Sequence, residues 1–161
     1  MFQLRAAEGW SELGNQKEAL AELERLGRDI SDHEDVLEIY CRIYEHFEDW
    51  FKAMHYARRL REIYPGKPAG WIHEPIALHR QKLKEEAFAL GLAASAKFPE
   101  NATVAYNLAC YAVALNKLEE ARNILKVAVE LDPRKGKPGD LREAASRDPD
   151  LIPLWENSKE P

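Results

Sequence analysis

Residues 71–79 read Trp71-Ile72-His73-Glu74-Pro75-Ile76-Ala77-Leu78-His79, and a His-Glu pair followed by a second histidine is a pattern that could hold zinc. Metalloproteases of the HExxH type need histidines at i and i+4, so that both rings reach one metal from one helix face with the glutamate beside the bound water. His73 and His79 are six apart. At about 100° per residue they point about 240° apart around the axis, so one unbroken helix cannot bring both to one ion. No other catalytic pattern stands in for it: there is no P-loop, no GxGxxG after a strand and no GxSxG. Cys41 and Cys110 lie far apart outside any CxxC context and read as reduced, small core or groove residues. A non-enzymatic protein without metal or cofactor is expected.

Composition points the same way. The chain has 161 residues, 45% of them hydrophobic and 32% charged, enough for one domain with a substantial core. Its net charge of −5 argues against nucleic acid, whose phosphates would be met by Lys and Arg. The basic groups Arg58, Arg59, Arg61 and Arg134, Lys135, Lys137 read as solvated faces. No basic segment followed by an apolar run opens the sequence, and no stretch reaches the ~18 apolar residues that span a bilayer. The expected location is cytoplasmic, with no membrane partner.

The elements that carry these residues are repetitive. NQKEALAEL, DWFKAMHYA, KLKEEAFAL and KLEEARNIL superimpose so that Ala19, Ala53, Ala87 and Ala121 coincide, 34 residues apart each time. Ser31, Pro65, Pro99 and Pro133 fall twelve residues after each alanine, where proline ends a helix because it lacks the N–H a helix needs. Trp10, Tyr44, Leu78 and Ala112 lie nine residues before it, and Ala7, Cys41, Pro75 and Ala109 twelve before. Small residues followed by larger ones are what closely packed helices require. Apolar steps of three and four, as in Leu37, Tyr40, Cys41, Tyr44, predict two helices per unit. The expected spans are 2–14 and 16–28, 33–46 and 50–63, 68–81 and 84–97, 102–114 and 118–130. Asn15 with Glu18 and Asn116 with Glu119 read as helix caps.

This pattern resembles the tetratricopeptide repeat (TPR) family over about residues 2–135. In repeat four Leu108, Ala109, Ala121, Ala128 and Pro133 fall on signature positions; repeat one departs most, with Gln3 in place of the usual Trp and Ser31 in place of Pro. The resemblance implies an all-α, right-handed solenoid of four helix-turn-helix repeats, about 2–34, 35–68, 69–102 and 103–135. Asp140 and Glu143 read as the cap and reply of a last helix, and Leu141, Ala144, Ala145, Leu151, Ile152, Leu154 and Trp155 can cover the exposed end. Residues 136–156 are thus expected as a cap within one domain, 1–156, with 157–161 frayed.

The family binds peptides on a concave face built from the second, fifth, ninth, twelfth and thirteenth positions of each unit. Those positions hold Met1, Leu4, Glu8, Ser11 and Glu12; Asp35, Glu38, Arg42, Glu45 and His46; Ala69, Ile72, Ile76, His79 and Arg80; Thr103, Tyr106, Cys110, Val113 and Ala114. Arg42, His46, Ile72, Ile76, His79, Arg80, Tyr106 and Cys110 are the implied partner-binding residues: an apolar anchor could leave water there while Arg42 or Arg80 pairs with a carboxylate. The carboxylate clamp of co-chaperone members is absent, its positions being taken by Leu4, Glu8, Ile39, Ala69 and His73. A protein or peptide partner is therefore expected, with a monomer or weak homodimer. Self-association through the N-terminal edge, where no repeat precedes Phe2 and Trp10, is the alternative. Pro75 inside a helix removes a hydrogen bond and costs about 3 kcal/mol, which predicts a bend or a late start in 68–81.

Overall fold

A computed structural model describes residues 2–27 and 30–156. Met1, residue 28 at the expected end of the second helix, and the expected tail 157–161 lie outside them. Among the described residues there are ten α-helices and no strand: α1 Phe2–Glu12, α2 Gln16–Glu24, α3 Glu34–His46, α4 Trp50–Ile63, α5 Pro68–Arg80, α6 Lys84–Lys97, α7 Ala102–Ala114, α8 Leu118–Leu131, α9 Leu141–Arg147 and α10 Ile152–Glu156. The expected spans hold to within two residues at every helix end but one. The second helix stops at Glu24 because Gly27 takes φ +81°, a left-handed conformation that leads the chain out of the helix.

The 34-residue period is also written in the backbone. Gly14, Glu48, Lys82 and Asn116 all have positive φ, between 58° and 76°, at the turn between the two helices of each repeat. The residue after this turn donates back across it: Asn15 to the carbonyl of Trp10 at 2.9 Å, Asp49 to Tyr44 at 2.8 Å, Lys117 to Ala112 at 2.9 Å. Those bonds satisfy carbonyls that the end of the first helix leaves open. Asn116 is therefore a turn residue and not the expected cap of α8; asparagine tolerates the left-handed region and is spent on it. The other two caps are as expected, with Glu18 N donating to Asn15 Oδ1 at 3.2 Å and Glu143 N to Asp140 Oδ1 at 3.0 Å.

Compactness divides the chain into two units, Met1–Gln81 and Lys82–Pro161, with the boundary between the helices of the third repeat. In the first, α1 pairs with α2, α3 with α4, and α4 packs along α5. Ala7, Ala19, Cys41, Ala53 and Ala57 are fully buried there, and Tyr40, Tyr44 and Tyr56 stack in near-parallel planes. In the second unit, α6 packs on α7 and α7 on α8, while α9, α10 and the 3₁₀ turn Pro149–Leu151 cover α7 and α8. Ala87, Ala109, Ala112, Ala121 and Ala128 are fully buried in its core, as are Leu151 and Leu154 of the cap. The repeated alanines 19, 53, 87 and 121 thus all lie wholly inside the helix packing.

The fifth helix corrects one expectation. It starts at Pro68, not late, with proline at the first helical position where no N–H is needed, and it runs through Pro75 to Arg80. Gly70 explains how it can lie so near α4. A Cβ there would stand 2.4 Å from Arg61 N and 2.6 Å from Arg61 Cα, so only hydrogen fits between the two backbones.

Candidate functional site

Two surfaces are built by elements whose cores are already satisfied. The first is the face that α1 and α3 present in the first unit. Two adjoining depressions of about 160 and 270 Å³ lie between these helices and share Glu8, Ile39 and Arg42. Glu8 and Arg42 hold the same place in successive repeats, and Arg42 Nη1 donates to Glu8 Oε1 at 2.6 Å. His46 lines the smaller depression with Ser11 and Glu12. Of the partner-binding residues implied by sequence, Arg42 and His46 are therefore brought together on one face. Ile72, Ile76 and His79 are half-buried on α5 and Arg80 is exposed beside them. In the second unit Cys110 is buried, and Tyr106 is half-buried and donates from its hydroxyl to Asp148 Oδ2 at 2.6 Å. Burial, and then that carboxylate, push the Tyr106 phenol well above its ordinary range.

The opening motif is resolved by ion pairing. Glu74 is only 2% exposed. Its Oε1 accepts from Arg58 Nε at 3.0 Å and its Oε2 from Arg61 Nε at 2.6 Å, so one carboxylate of α5 is held by two arginines of α4. The Arg61 guanidinium also lies 5.2 Å from the Trp71 ring, and Trp71 Nε1 donates to the Pro65 carbonyl at 3.0 Å. His73 Nδ1 stands 2.8 Å from Glu45 Oε1 of α3. His73 and Glu74 are thus each engaged by side chains of neighbouring helices. Arg58 and Arg59 are exposed, as expected of a solvated face, and Arg61 is half-buried, yet all three are paired: Arg59 forks onto Asp32 at 2.5 and 2.6 Å. Among the described residues no group of three or more His, Cys, Asp or Glu is placed to hold a metal ion, and no helix is long and apolar enough to cross a membrane.

The second surface has no counterpart among the sequence expectations. In the second unit α8, α9 and α10 enclose a cleft of about 400 Å³ lined by Leu125, Val129, Ala145, Leu154 and Trp155, with Arg122, Lys126, Glu130 and Arg142 around it. The loop Pro133–Gly139 that leads into α9 is held by carboxylates. Asp132, itself buried, accepts from Arg134 N at 3.0 Å and Leu141 N at 2.7 Å. Asp140 Oδ2 accepts from Gly136 N at 2.8 Å, and Glu143 answers Gly139 N at 2.7 Å, one residue before the position a capping box would give it. Backbone donors, first Arg134 N on Asp132 and Glu143 N on Asp140, hold both aspartates below the usual carboxylate range. The sequence signal for this arrangement is the apolar spacing of Leu141 to Trp155, which marks a cover without saying that a cleft is left where the cover meets α8.

Helix pairs of 34 residues, a left-handed turn residue at the same place in each, and an added C-terminal cap define the class: the fold is that of tetratricopeptide-repeat proteins. Among solved structures, the chain is similar to TTC0263, a thermophilic TPR protein of Thermus thermophilus, at 20% identity and a TM-score of 0.76, over 98% of this chain and 81% of that one. It is also similar to MamA MSR-1, at 22% identity and a TM-score of 0.64 over 82% of this chain and 76% of that one. A MamA RS-1 double mutant matches at 18% identity and 0.64 over 98% and 97%. At these identities the likeness establishes the fold. No family model matches the sequence, and no curated protein matches it.

Proposed function

We propose that the chain is a non-catalytic protein-interaction module that holds a peptide or partner helix against the faces of its first helices. One observation carries this: equivalent positions of successive repeats, Glu8 and Arg42, meet at the junction of the two depressions between α1 and α3. A row of surface positions repeated every 34 residues is suited to an extended ligand, because each repeat offers its next segment a similar contact. Buried Ile39 forms the apolar floor of both depressions, and the exposed Arg42 beside it can exchange Glu8 for a partner's carboxylate. Ile72, Ile76, His79 and Arg80 continue the row on α5, and Tyr106 and Cys110 occupy its equivalent positions on α7. A cytoplasmic location agrees with two free, buried cysteines.

Affinity capture from native lysate, comparing the wild type with the Arg42→Glu, Arg80→Glu double variant, tests the proposal. The double variant should lose the captured partner while keeping its melting temperature, since the Glu8–Arg42 pair is exposed and such pairs contribute about 0–1 kcal/mol. Unchanged capture would sink the reading. A second reading, self-association, is favoured by exposed apolar side chains on α1 and the turn after it, where Phe2 is 80% and Leu13 77% exposed. Sedimentation over a wide concentration range decides it: a mass that stays monomeric excludes self-association.

A further inference from the structure

We propose that the cleft between α8 and the C-terminal cap is a second docking site, and that its occupant is a short segment of another protein with a bulky apolar side chain flanked by aspartate or glutamate. The proposal stands on the second unit alone and does not depend on the α1/α3 face. The floor asks for an apolar anchor: Leu125, Val129 and Leu154 are buried, Trp155 is 43% exposed over them, and a space of about 400 Å³ accommodates one or two side chains. The rim asks for acid. Arg122, Lys126 and Arg142 border the cleft against a single carboxylate, Glu130.

The internal pairings leave that excess in place. Arg122 is bound to Glu119 and to the Leu154 carbonyl, and Glu130 is bound to Lys135 and feels the charge of Arg142, so the cations still outnumber the carboxylates: Arg122, Lys126, Lys135 and Arg142 against Glu119 and Glu130. Lys126 and Arg142 are exposed. A cationic rim on a chain whose net charge is −5 is a local reversal, which steers an acidic segment to this point and away from the rest of the surface. Residues 157–161, Asn-Ser-Lys-Glu-Pro, offer no bulky apolar side chain.

The test uses the full chain, isotope-labelled, with three synthetic nonapeptides: a Phe-x-x-Leu core flanked by glutamates, the same core flanked by lysines, and a glutamate-flanked alanine core. Binding is read from the Trp155 indole N–H and the Leu125 and Leu154 methyl resonances. The acidic apolar peptide should shift these signals, bind about tenfold tighter than the lysine-flanked peptide, weaken about tenfold in Lys126→Glu, Arg142→Glu, and lose affinity as salt rises. The alanine-core peptide should leave them unmoved. In Arg42→Glu, Arg80→Glu the Trp155, Leu125 and Leu154 signals should titrate with the acidic peptide as in the wild type, which separates this site from the α1/α3 face. The proposal is overturned if the lysine-flanked peptide binds as well, or if peptide shifts appear only on α1 and α3. It is equally overturned if the cleft signals move with protein concentration alone, which would make a second copy the occupant. Deletion of residues 157–161 moving them without peptide would overturn it too, by assigning the cleft to the tail.

Discussion

Alanine at position 70 and alanine at position 9 are the same chemical change in the first unit, yet the structure assigns them opposite signs. Gly9 lies inside α1 with nothing within 4 Å of an added Cβ. Gly9→Ala should therefore gain the helix propensity difference, about 0.8–1 kcal/mol. At Gly70 the same Cβ would stand 2.4 Å from Arg61 N, and ordinary contact begins at 3.4 Å. Backbone cannot swing aside as a side chain can, so α4 and α5 must separate by about 1 Å there, an overpacking that costs about 1–3 kcal/mol. The same movement stretches Arg61 Nε to Glu74 Oε2 from 2.6 Å to about 3.6 Å, beyond hydrogen-bonding range. A carboxylate that is 2% exposed would then lose one of its two partners. The propensity gain is common to both variants and cancels between them, so overpacking of about 1–3 kcal/mol and about 1 kcal/mol for the lost bond to Glu74 should make them differ by about 2–4 kcal/mol, with Gly70→Ala below wild type. Urea unfolding followed by far-UV circular dichroism measures this: with m of about 2 kcal/mol/M the midpoints should fall about 1–2 M apart, on either side of wild type, with m unchanged. A Gly70→Ala midpoint at or above wild type would refute the close approach of α4 and α5, and with it the account of how Glu74 is held.

The remaining expectations concern charges that are bound internally. Glu74→Gln leaves Arg58 and Arg61 without their shared counter-ion; because Arg58 is half exposed and recovers water, the loss should be about 1–3 kcal/mol and not the full penalty of a fully buried pair. Glu62→Gln, on the exposed face of α4, should stay within about 0.5 kcal/mol in the same urea titration. In the second unit, Asp132 and Asp140 have folded pKa values below their unfolded ones. Their contribution is therefore complete above about pH 4 and is lost as pH falls through the lower folded values. Asp132→Asn should flatten this acid limb, seen as a smaller dependence of the Trp155 indole resonance on pH between neutral and acid conditions; an unaltered limb would count against the carboxylate as the organiser of the loop.

Much of the architecture is legible in the sequence because it is local. Proline at 65, 99 and 133, the alanines at 19, 53, 87 and 121, and three- and four-residue apolar steps each act through the helix they sit in or the one beside it. Helix ends and the repeat follow directly. Expectations fail where one residue type serves two local roles. Asparagine at 116 suggests a cap because asparagine caps helices, but a turn that needs positive φ claims it first. Arg58 and Arg61 suggest solvated charges because helix-surface arginines usually are, but a carboxylate sixteen and thirteen residues further on reaches both. Pro75 suggests a bend or a late start; the start is not late, because Pro68 already provides a favourable first turn.

The candidate surfaces divide in the same way. The face on α1 and α3 can be placed from the repeat frame, since a position repeated every 34 residues falls on the same side of each first helix; the ion pair between Glu8 and Arg42 follows from that frame once the helices are adjacent. The cleft at the cap cannot. Its floor joins α8 to α9 and α10, and its rim gathers cations from two of these elements. The sequence by itself determined the period, the helices and the alanine contacts, because burial of an apolar face is encoded at helical spacing. Which charges meet, where Gly70 lets two backbones touch, and that a cleft is left between the cap and α8 were decided only in three dimensions, because each depends on the distance between elements that no spacing along the chain specifies.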